Sequence, residues 1–247
     1  GGLLDAGLVA ELKRLRVGPV QPTLLSAQRD VHNALKGADA FDATVDAIAR
    51  LRHARMPVTV SFVCTAVNHD HFRDVVELCY ALGVSAIAFS RFCTAGEGMH
   101  HAAVLEPSPA HVIGCLLVAE EAAARLSMRV HVAISLPLCI VDPRRYPHLR
   151  FGRCALTSAD PGYTLDAQGG LRACSVSSTV LGDLRRESWQ VVVERARRTY
   201  LSERSALPAA CAPCPHLHAC GGGCRESAQG HFRAPGHVDP LARPPGI

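Results

Sequence analysis

The sequence predicts an α/β domain with a parallel sheet, followed by a small cysteine-rich domain. Strand-like and helix-like apolar patterns alternate up to residue 136, and six spaced cysteines follow from Cys154 onward. Such alternation indicates parallel strands joined by helical crossovers. We therefore predict domains at residues 1–136 and 137–247, the first being an open sheet or one half of a larger barrel.

The first four predicted elements are two helices, an irregular strand and a regular strand. Asp5 is placed to cap a helix with leucines and a valine along one face. Residues 17–25 read as an irregular or edge strand, because Pro19 and Pro22 cannot donate to a ladder. A helix over residues 41–51 precedes a strong strand over residues 58–65, which is rich in β-branched residues.

The next four elements continue the alternation. A helix over residues 72–82 ends at Gly83, and a buried strand over residues 84–92 follows. Ser108 and Pro109 are typical of a helix start, and the apolar pattern continues to Leu126. Residues 129–135 read as a further strand.

The character of the chain changes after Pro137, where prolines interrupt the periodicity and the spaced cysteines begin. Residues 163–173 predict a hairpin with its turn at residues 168–170. Residues 187–201 predict a helix that carries Trp189, the chain's single tryptophan. The tail from Arg233 is rich in proline and glycine and is predicted to be irregular.

Composition excludes several classes of protein. With 48% hydrophobic and 19% charged residues, the 247-residue chain is predicted to be globular. A net charge of +4 from scattered arginines argues against nucleic-acid binding, and no apolar stretch has the roughly 20 residues of a membrane span. Eleven cysteines in so long a chain favour metal binding over a disulfide framework, which predicts a reducing, cytoplasmic setting.

The strongest motif is C-x2-C-x5-C-x3-C, formed by Cys211, Cys214, Cys220 and Cys224. Thiolates are soft ligands, and short loops bring several of them onto one metal site. Glycines at residues 221–223 suit a chain that turns tightly around such a site. Spacing alone leaves two occupants open, an iron–sulfur cluster and a structural zinc ion.

Upstream of this motif, fourteen residues separate Cys154 from Gly169, and four residues separate Gly169 from Cys174. The combined pattern resembles the radical S-adenosylmethionine (SAM) enzymes that carry a C-terminal SPASM domain. Upstream segments agree with the same family at residues 23–26, 32–33 and 94–96. The resemblance implies an α/β fold that is the C-terminal half of a partial (β/α) radical-SAM barrel, followed by the SPASM domain.

The resemblance also implies the ligand sets and the SAM contacts. One auxiliary 4Fe–4S cluster would be held by Cys154, Cys174 and Cys224, and a second by Cys211, Cys214, Cys220 and a last ligand. The family's last cysteine falls at Ala242, and the substitutes considered are Asp239, His231 and His237. Remnants of the SAM site would be Thr23, Lys36, Asn68 and Arg91. Cys64, Cys79 and Cys115 are predicted to be core thiols.

The function that the resemblance implies is an oxidoreductase-like maturase. In that family a SAM-derived radical abstracts hydrogen from a peptide or protein substrate, and a reductant protein is a further expected partner. The radical-cluster motif C-x3-C-x2-C is absent from this sequence, so we expect the first half of the barrel to be missing and the chain alone to be unable to cleave SAM. Two alternatives stay open: a non-catalytic module that binds peptides or transfers electrons, and a zinc-stabilised structural domain.

Overall fold

The structure is a computed structural model that describes residues 2–154, 162–204, 207–232 and 237–244. The chain forms two compact units, and each of them is discontinuous in sequence. The sheet unit consists of Gly1–Phe92, Pro107–Ala133 and Pro143–Phe151, and the cysteine unit consists of Cys93–Glu106, Ile134–Asp142 and Gly152–Ile247. The single boundary predicted between residues 136 and 137 stays a prediction.

A four-stranded parallel sheet forms the centre of the sheet unit, in the order β1-β2-β3-β4. The strands are β1 (Val60–Cys64), β2 (Ala86–Arg91), β3 (Arg129–Val132) and β4 (Arg150–Phe151). The partner of Cys64 at the end of β1 is Arg91 at the end of β2. The predicted parallel α/β architecture is therefore confirmed.

The segment over residues 17–25 runs alongside β1 without becoming a regular strand. It forms two isolated parallel bridges, Val20 to Val58 and Thr23 to Ser61. Ser61 donates its backbone N–H to the carbonyl of Pro22 at 2.8 Å, so the proline accepts but cannot donate. The predicted irregular strand is confirmed, and its irregularity follows from its prolines.

Helices cover the sheet, and two of them begin at the caps that the sequence predicts, whereas α2 (Arg29–Lys36) was not predicted. Asp5 accepts the N–H of Leu8 at 2.7 Å, and Ser108 accepts the N–H of His111 at 3.2 Å. Gly83 follows the fourth helix with a positive φ of 71°. The helices of this unit are α1 (Ala6–Arg14), α2 (Arg29–Lys36), α3 (Phe41–His53), α4 (Phe72–Ala81) and α6 (Pro109–Leu126).

Three aromatic rings form the centre of the sheet unit's core. The ring of Phe72 on α4 lies 4.6 Å from the ring of Phe62 and 5.4 Å from that of Phe89, measured between centroids. All three side chains are fully buried. This packing joins α4 to the neighbouring strands β1 and β2 in the core.

The described residues of the cysteine unit form a three-stranded antiparallel sheet and four α-helices. Its strands are β5 (Thr164–Leu165), β6 (Gly170–Arg172) and β7 (Gly182–Asp183). Its helices are α5 (Ala102–Leu105), α7 (Trp189–Arg204), α8 (Leu217–Cys220) and α9 (Arg225–Phe232). The hairpin and the tryptophan-bearing helix are confirmed, whereas the sequence patterns did not predict β7, α5, α8 or α9.

A small core joins this antiparallel sheet to α7. Leu171 and Ala173 pack against Leu181, Val192 and Ala196. Of the predicted irregular tail, residues 233–236 and 245–247 lie outside the described residues. Among the described residues, no single helix has the length and apolarity to cross a membrane, and one bent pair, Gly96–Leu105 with Pro109–Leu126, meets those criteria only when taken together.

Candidate metal centre

The C-terminal cysteine run is folded into consecutive tight turns. Cys214 donates its N–H to the carbonyl of Cys211 at 2.9 Å, and Leu217 donates to the carbonyl of Cys214 at 3.1 Å. Cys220 is the last residue of α8, and the αL residue Gly221 ends that helix. These turns place three thiols within a short length of chain.

The glycine triplet is a conformational requirement of this loop. Gly221, Gly222 and Gly223 have φ values of 65°, 84° and 86°, a region that side-chain-bearing residues rarely adopt. A Cβ on Gly223 would also lie 2.6 Å from the Cβ of Asp239. The tight turn that the sequence predicts at residues 221–223 is confirmed.

One pocket is lined by Cys211, Cys214 and Cys220 and by a fourth cysteine, Cys139. Ala242, the position of the missing family cysteine, lines the same pocket, as does His216.

Two backbone N–H groups point at the sulfur atoms of this pocket. Leu138 donates to the Sγ of Cys220 at 3.4 Å, and Arg243 donates to the Sγ of Cys139 at 3.1 Å. Hydrogen bonds of this type tune the sulfur ligands of metal clusters.

The thiols of this pocket are close enough to affect one another's ionisation. Burial raises the pKa of Cys211, and the nearby thiols of Cys220, Cys139 and Cys214 raise it further. A thiol must lose its proton to become a metal ligand, so a bound cation would offset the repulsion between these sulfurs.

Two further cysteines, Cys93 and Cys174, lie near Cys224. Its sulfur lies 4.0 Å from the sulfur of Cys93. Burial raises the pKa of Cys174, two backbone N–H groups oppose that rise, and nearby Cys224 adds to it. Cys154 packs against the core around Leu171. Cys93 and Cys174 therefore lie near Cys224, while the role of Cys154, Cys174 and Cys224 as one ligand set stays a prediction.

Asp239, predicted as the substitute ligand, is fully buried and accepts backbone hydrogen bonds. One carboxylate oxygen accepts the N–H of Cys224 at 2.7 Å, and the other accepts the N–H of Leu241 at 2.9 Å. His231, the second substitute, pairs with Glu106 at 3.1 Å, and His237 is exposed. The ligand role of Asp239 stays a prediction, while its contacts give it a structural role next to Cys224.

The four residues predicted to contact SAM belong to the sheet unit. Thr23 is bridged to β1, and Arg91 is buried at the carboxyl end of β2. Lys36 is exposed in the last turn of α2. Asn68 is buried just after β1, where it joins the loop after Thr23 to the end of that strand. Three of the four therefore lie along adjacent parallel segments, and Lys36 stands apart on a helix surface.

His32 supports the same loop from α2. Its Nδ1 accepts the N–H of Leu25 at 3.2 Å, and its ring packs edge-on against Phe41. Burial lowers the pKa of His32, which favours the neutral imidazole that this hydrogen bond needs.

Neither Cys139 nor Cys93 is among the cysteines that the sequence predicts as ligands. Neither has a neighbour at a ligand spacing, so no local signal identifies them. Ala242 stands where the family has its last cysteine, and this gap in the pattern indicates that another residue could complete the site. Within the described ranges, no group of three His, Cys, Asp or Glu side chains converges on a single metal ion.

Comparison with known proteins supports the fold. No protein-family model matches the chain. The chain is 28% identical over 232 residues to the PqqA peptide cyclase of Streptomyces rochei. The aligned region covers 89% of this chain and 61% of that protein. The chain thus spans about three fifths of the length of this curated relative, a radical SAM enzyme.

Two solved structures have the same architecture. The structure of anSMEcpe with bound AdoMet and Kp18Cys peptide matches 98% of this chain and 68% of its own, with a TM-score of 0.71 and 13% identity. The structure of Streptococcus suis SuiB bound to S-adenosylmethionine matches 98% of this chain and 57% of its own, with a TM-score of 0.65 and 14% identity. Both are radical SAM/SPASM maturases, so the predicted resemblance to that family is confirmed at the level of the fold.

Proposed function

We propose that this chain binds iron–sulfur clusters through its two cysteine sets and serves the SAM-dependent radical modification of a peptide or protein. The observation that supports this proposal most directly is the pocket that gathers Cys211, Cys214 and Cys220. That pocket lies in a chain whose fold matches radical SAM/SPASM maturases over 98% of its length.

The donor set, which consists of cysteines, fits an iron–sulfur cluster. In a four-iron cluster each thiolate binds a different iron atom, so the sulfurs need not converge on one point. Four cysteines line one pocket of the described chain, and soft thiolates are the usual protein ligands of such clusters. When bound, the clusters would supply one-electron transfer or an iron site that anchors the substrate.

The protein's own residues would position these groups. The N–H group of Leu138 holds the sulfur of Cys220 in place, and the N–H group of Arg243 holds that of Cys139 in the same pocket. The carboxylate of Asp239 fixes the backbone at Cys224 in the other set. For SAM, we assign Thr23 and Arg91 to direct contact, because ligands of α/β folds bind at the carboxyl ends of the strands.

The remaining two SAM assignments take different roles in this proposal. Asn68 becomes a positioning residue, because its side-chain amide is already engaged with the backbone. Lys36 is an exposed cation in the last turn of α2, and its role would be to attract the carboxylate of SAM by its charge. A peptide or protein is the proposed substrate class, and an electron-donating protein is the proposed partner.

Anaerobic purification followed by reconstitution with iron and sulfide tests the cluster assignment. We expect a brown protein with about eight iron atoms and a matching amount of sulfide per chain, as two four-iron clusters require. The reduced protein should also give an electron paramagnetic resonance (EPR) signal. A colourless protein with stoichiometric zinc and no sulfide would contradict the proposal and support the zinc-stabilised domain.

A second candidate function is a non-catalytic module that binds a peptide or transfers electrons. The absence of C-x3-C-x2-C from the sequence favours it for this chain by itself. We expect the reconstituted chain to form no 5′-deoxyadenosine when it is incubated with SAM and dithionite. Deoxyadenosine above that of a chain-free control would show that this chain cleaves SAM without the motif.

A further inference from the structure

We propose that Cys139 is the fourth protein ligand of the cluster held by Cys211, Cys214 and Cys220, in place of the cysteine that the family has at Ala242. This inference rests on the proposed function and adds to it a ligand that the sequence motif does not contain. Cys139 would bind iron as a thiolate, and its proton would be released to solvent.

The position of Cys139 supports this assignment first. Cys139 and Ala242 line the same pocket as the three motif cysteines. The N–H of Arg243, the residue after Ala242, donates to the Sγ of Cys139 at 3.1 Å. The sulfur of Cys139 is therefore beside the backbone from which a cysteine at position 242 would reach the same cluster.

The neighbouring backbone supports it independently. Leu138 donates its N–H to the Sγ of Cys220 at 3.4 Å, although the two residues are 82 positions apart. The segment carrying Cys139 is thus anchored to a motif cysteine on one side and to the segment carrying Ala242 on the other. Both anchors are N–H···S hydrogen bonds, which suit a thiolate that shares its charge with iron.

Competing donors are fewer than the sequence suggested. Both oxygens of Asp239 accept backbone N–H groups, and His231 pairs with Glu106. His216 does line the pocket, so it is the competitor that an experiment has to exclude. Thiolate is the softer donor, and cysteine is the usual ligand of a four-iron cluster.

The test compares reconstituted Cys139→Ala with the wild-type chain and with two controls. We expect Cys139→Ala to lose between one and four iron atoms per chain, because a cluster without its fourth thiolate loses one iron or dissociates. The oxidised variant should show the EPR signal of a three-iron cluster or lose the absorption of one cluster. His216→Ala, which removes the competing donor, and Cys79→Ala, which removes a buried thiol of α4, should both keep the wild-type iron content.

A second variant and a chemical measurement separate ligand loss from misfolding. Cys139→Ala combined with Ala242→Cys should regain the lost iron, because position 242 faces the same pocket. In the wild-type protein, iodoacetamide should alkylate Cys139 after the iron is removed and spare it while the clusters are bound. Mass spectrometry of the peptide containing residue 139 gives this readout without any substitution.

The possible outcomes distinguish this inference from the proposed function. A wild-type chain that takes up no iron and sulfide overturns both. A wild-type chain with full clusters, together with unchanged iron in Cys139→Ala or equal alkylation of Cys139 with and without clusters, overturns only the assignment of Cys139. Loss of iron in His216→Ala and not in Cys139→Ala transfers the ligand role to the histidine.

Discussion

Replacing Asn68 by alanine is expected to lower the free energy of unfolding by roughly 3–6 kcal/mol, because several buried polar groups lose their partner at once. The Asn68 Oδ1 accepts the N–H and the hydroxyl of Thr65, both at 2.8 Å. Its Nδ2 donates to the carbonyl of Leu25 at 2.7 Å and to that of Val63 at 3.1 Å. Chemical denaturation of the two proteins measures the difference.

Asn33, the only other asparagine in the chain, provides the matched control. Its Oδ1 accepts the N–H groups of Ala40 and Phe41 at the start of α3, at the less buried edge of the unit. Asn33→Ala should cost about 1–2 kcal/mol, the usual loss of a helix cap. If Asn68→Ala is as stable as wild type but loses affinity for SAM, Asn68 contacts the ligand directly and the positioning role is wrong.

Local chemistry explains which parts of the fold could be predicted. A helix cap such as Asp5 or Ser108 acts on an N–H three residues away, so the sequence displays both partners together. Gly169 belongs to the same class: its φ of 84° allows the hairpin turn, and a Cβ there would lie 2.8 Å from the Nε of Arg185. Such features need only a few neighbouring residues to be recognised.

The features that could not be predicted depend on tertiary proximity. Asn68 and Leu25 are 43 positions apart, and no spacing rule connects them. Cys139 has no cysteine near it in sequence, so its spacing excluded it from every motif, whereas the fold brings it to Cys220. Asp239 is predicted as a substitute ligand because a carboxylate can bind iron, whereas its hydrogen bonds with the backbone at Cys224 and Leu241 depend on the fold.

Gly230 on α9 is the position where adding a single methyl group should do the most damage to the cysteine unit. A Cβ there would clash with the backbone oxygen of Thr94, and no rotamer change can relieve a clash with backbone. We expect Gly230→Ala to lower the free energy of unfolding by about 3 kcal/mol or more, since overpacking against backbone forces a whole segment to move. Thermal and denaturant unfolding of the reconstituted protein measure this loss.

The same substitution should also reduce iron content, because the contact joins two segments that carry cysteines. Thr94 follows Cys93, and its N–H donates to the Oγ of Ser227 on α9 at 3.4 Å. Helix α9 begins immediately after Cys224, whose sulfur lies 4.0 Å from that of Cys93. Moving α9 away from Thr94 therefore separates the two sulfurs.

Gly114→Ala is the control that isolates the packing effect from the intrinsic effect of alanine. Gly114 lies within α6, with nothing within 4 Å of its added Cβ, so alanine there should stabilise the protein by about 0.5–1 kcal/mol. If the two substitutions change the free energy of unfolding in opposite directions, the loss at Gly230 is due to its contact with Thr94. A Gly230→Ala protein with wild-type stability and full iron content would mean that α9 does not approach Thr94 as closely as the structure places it.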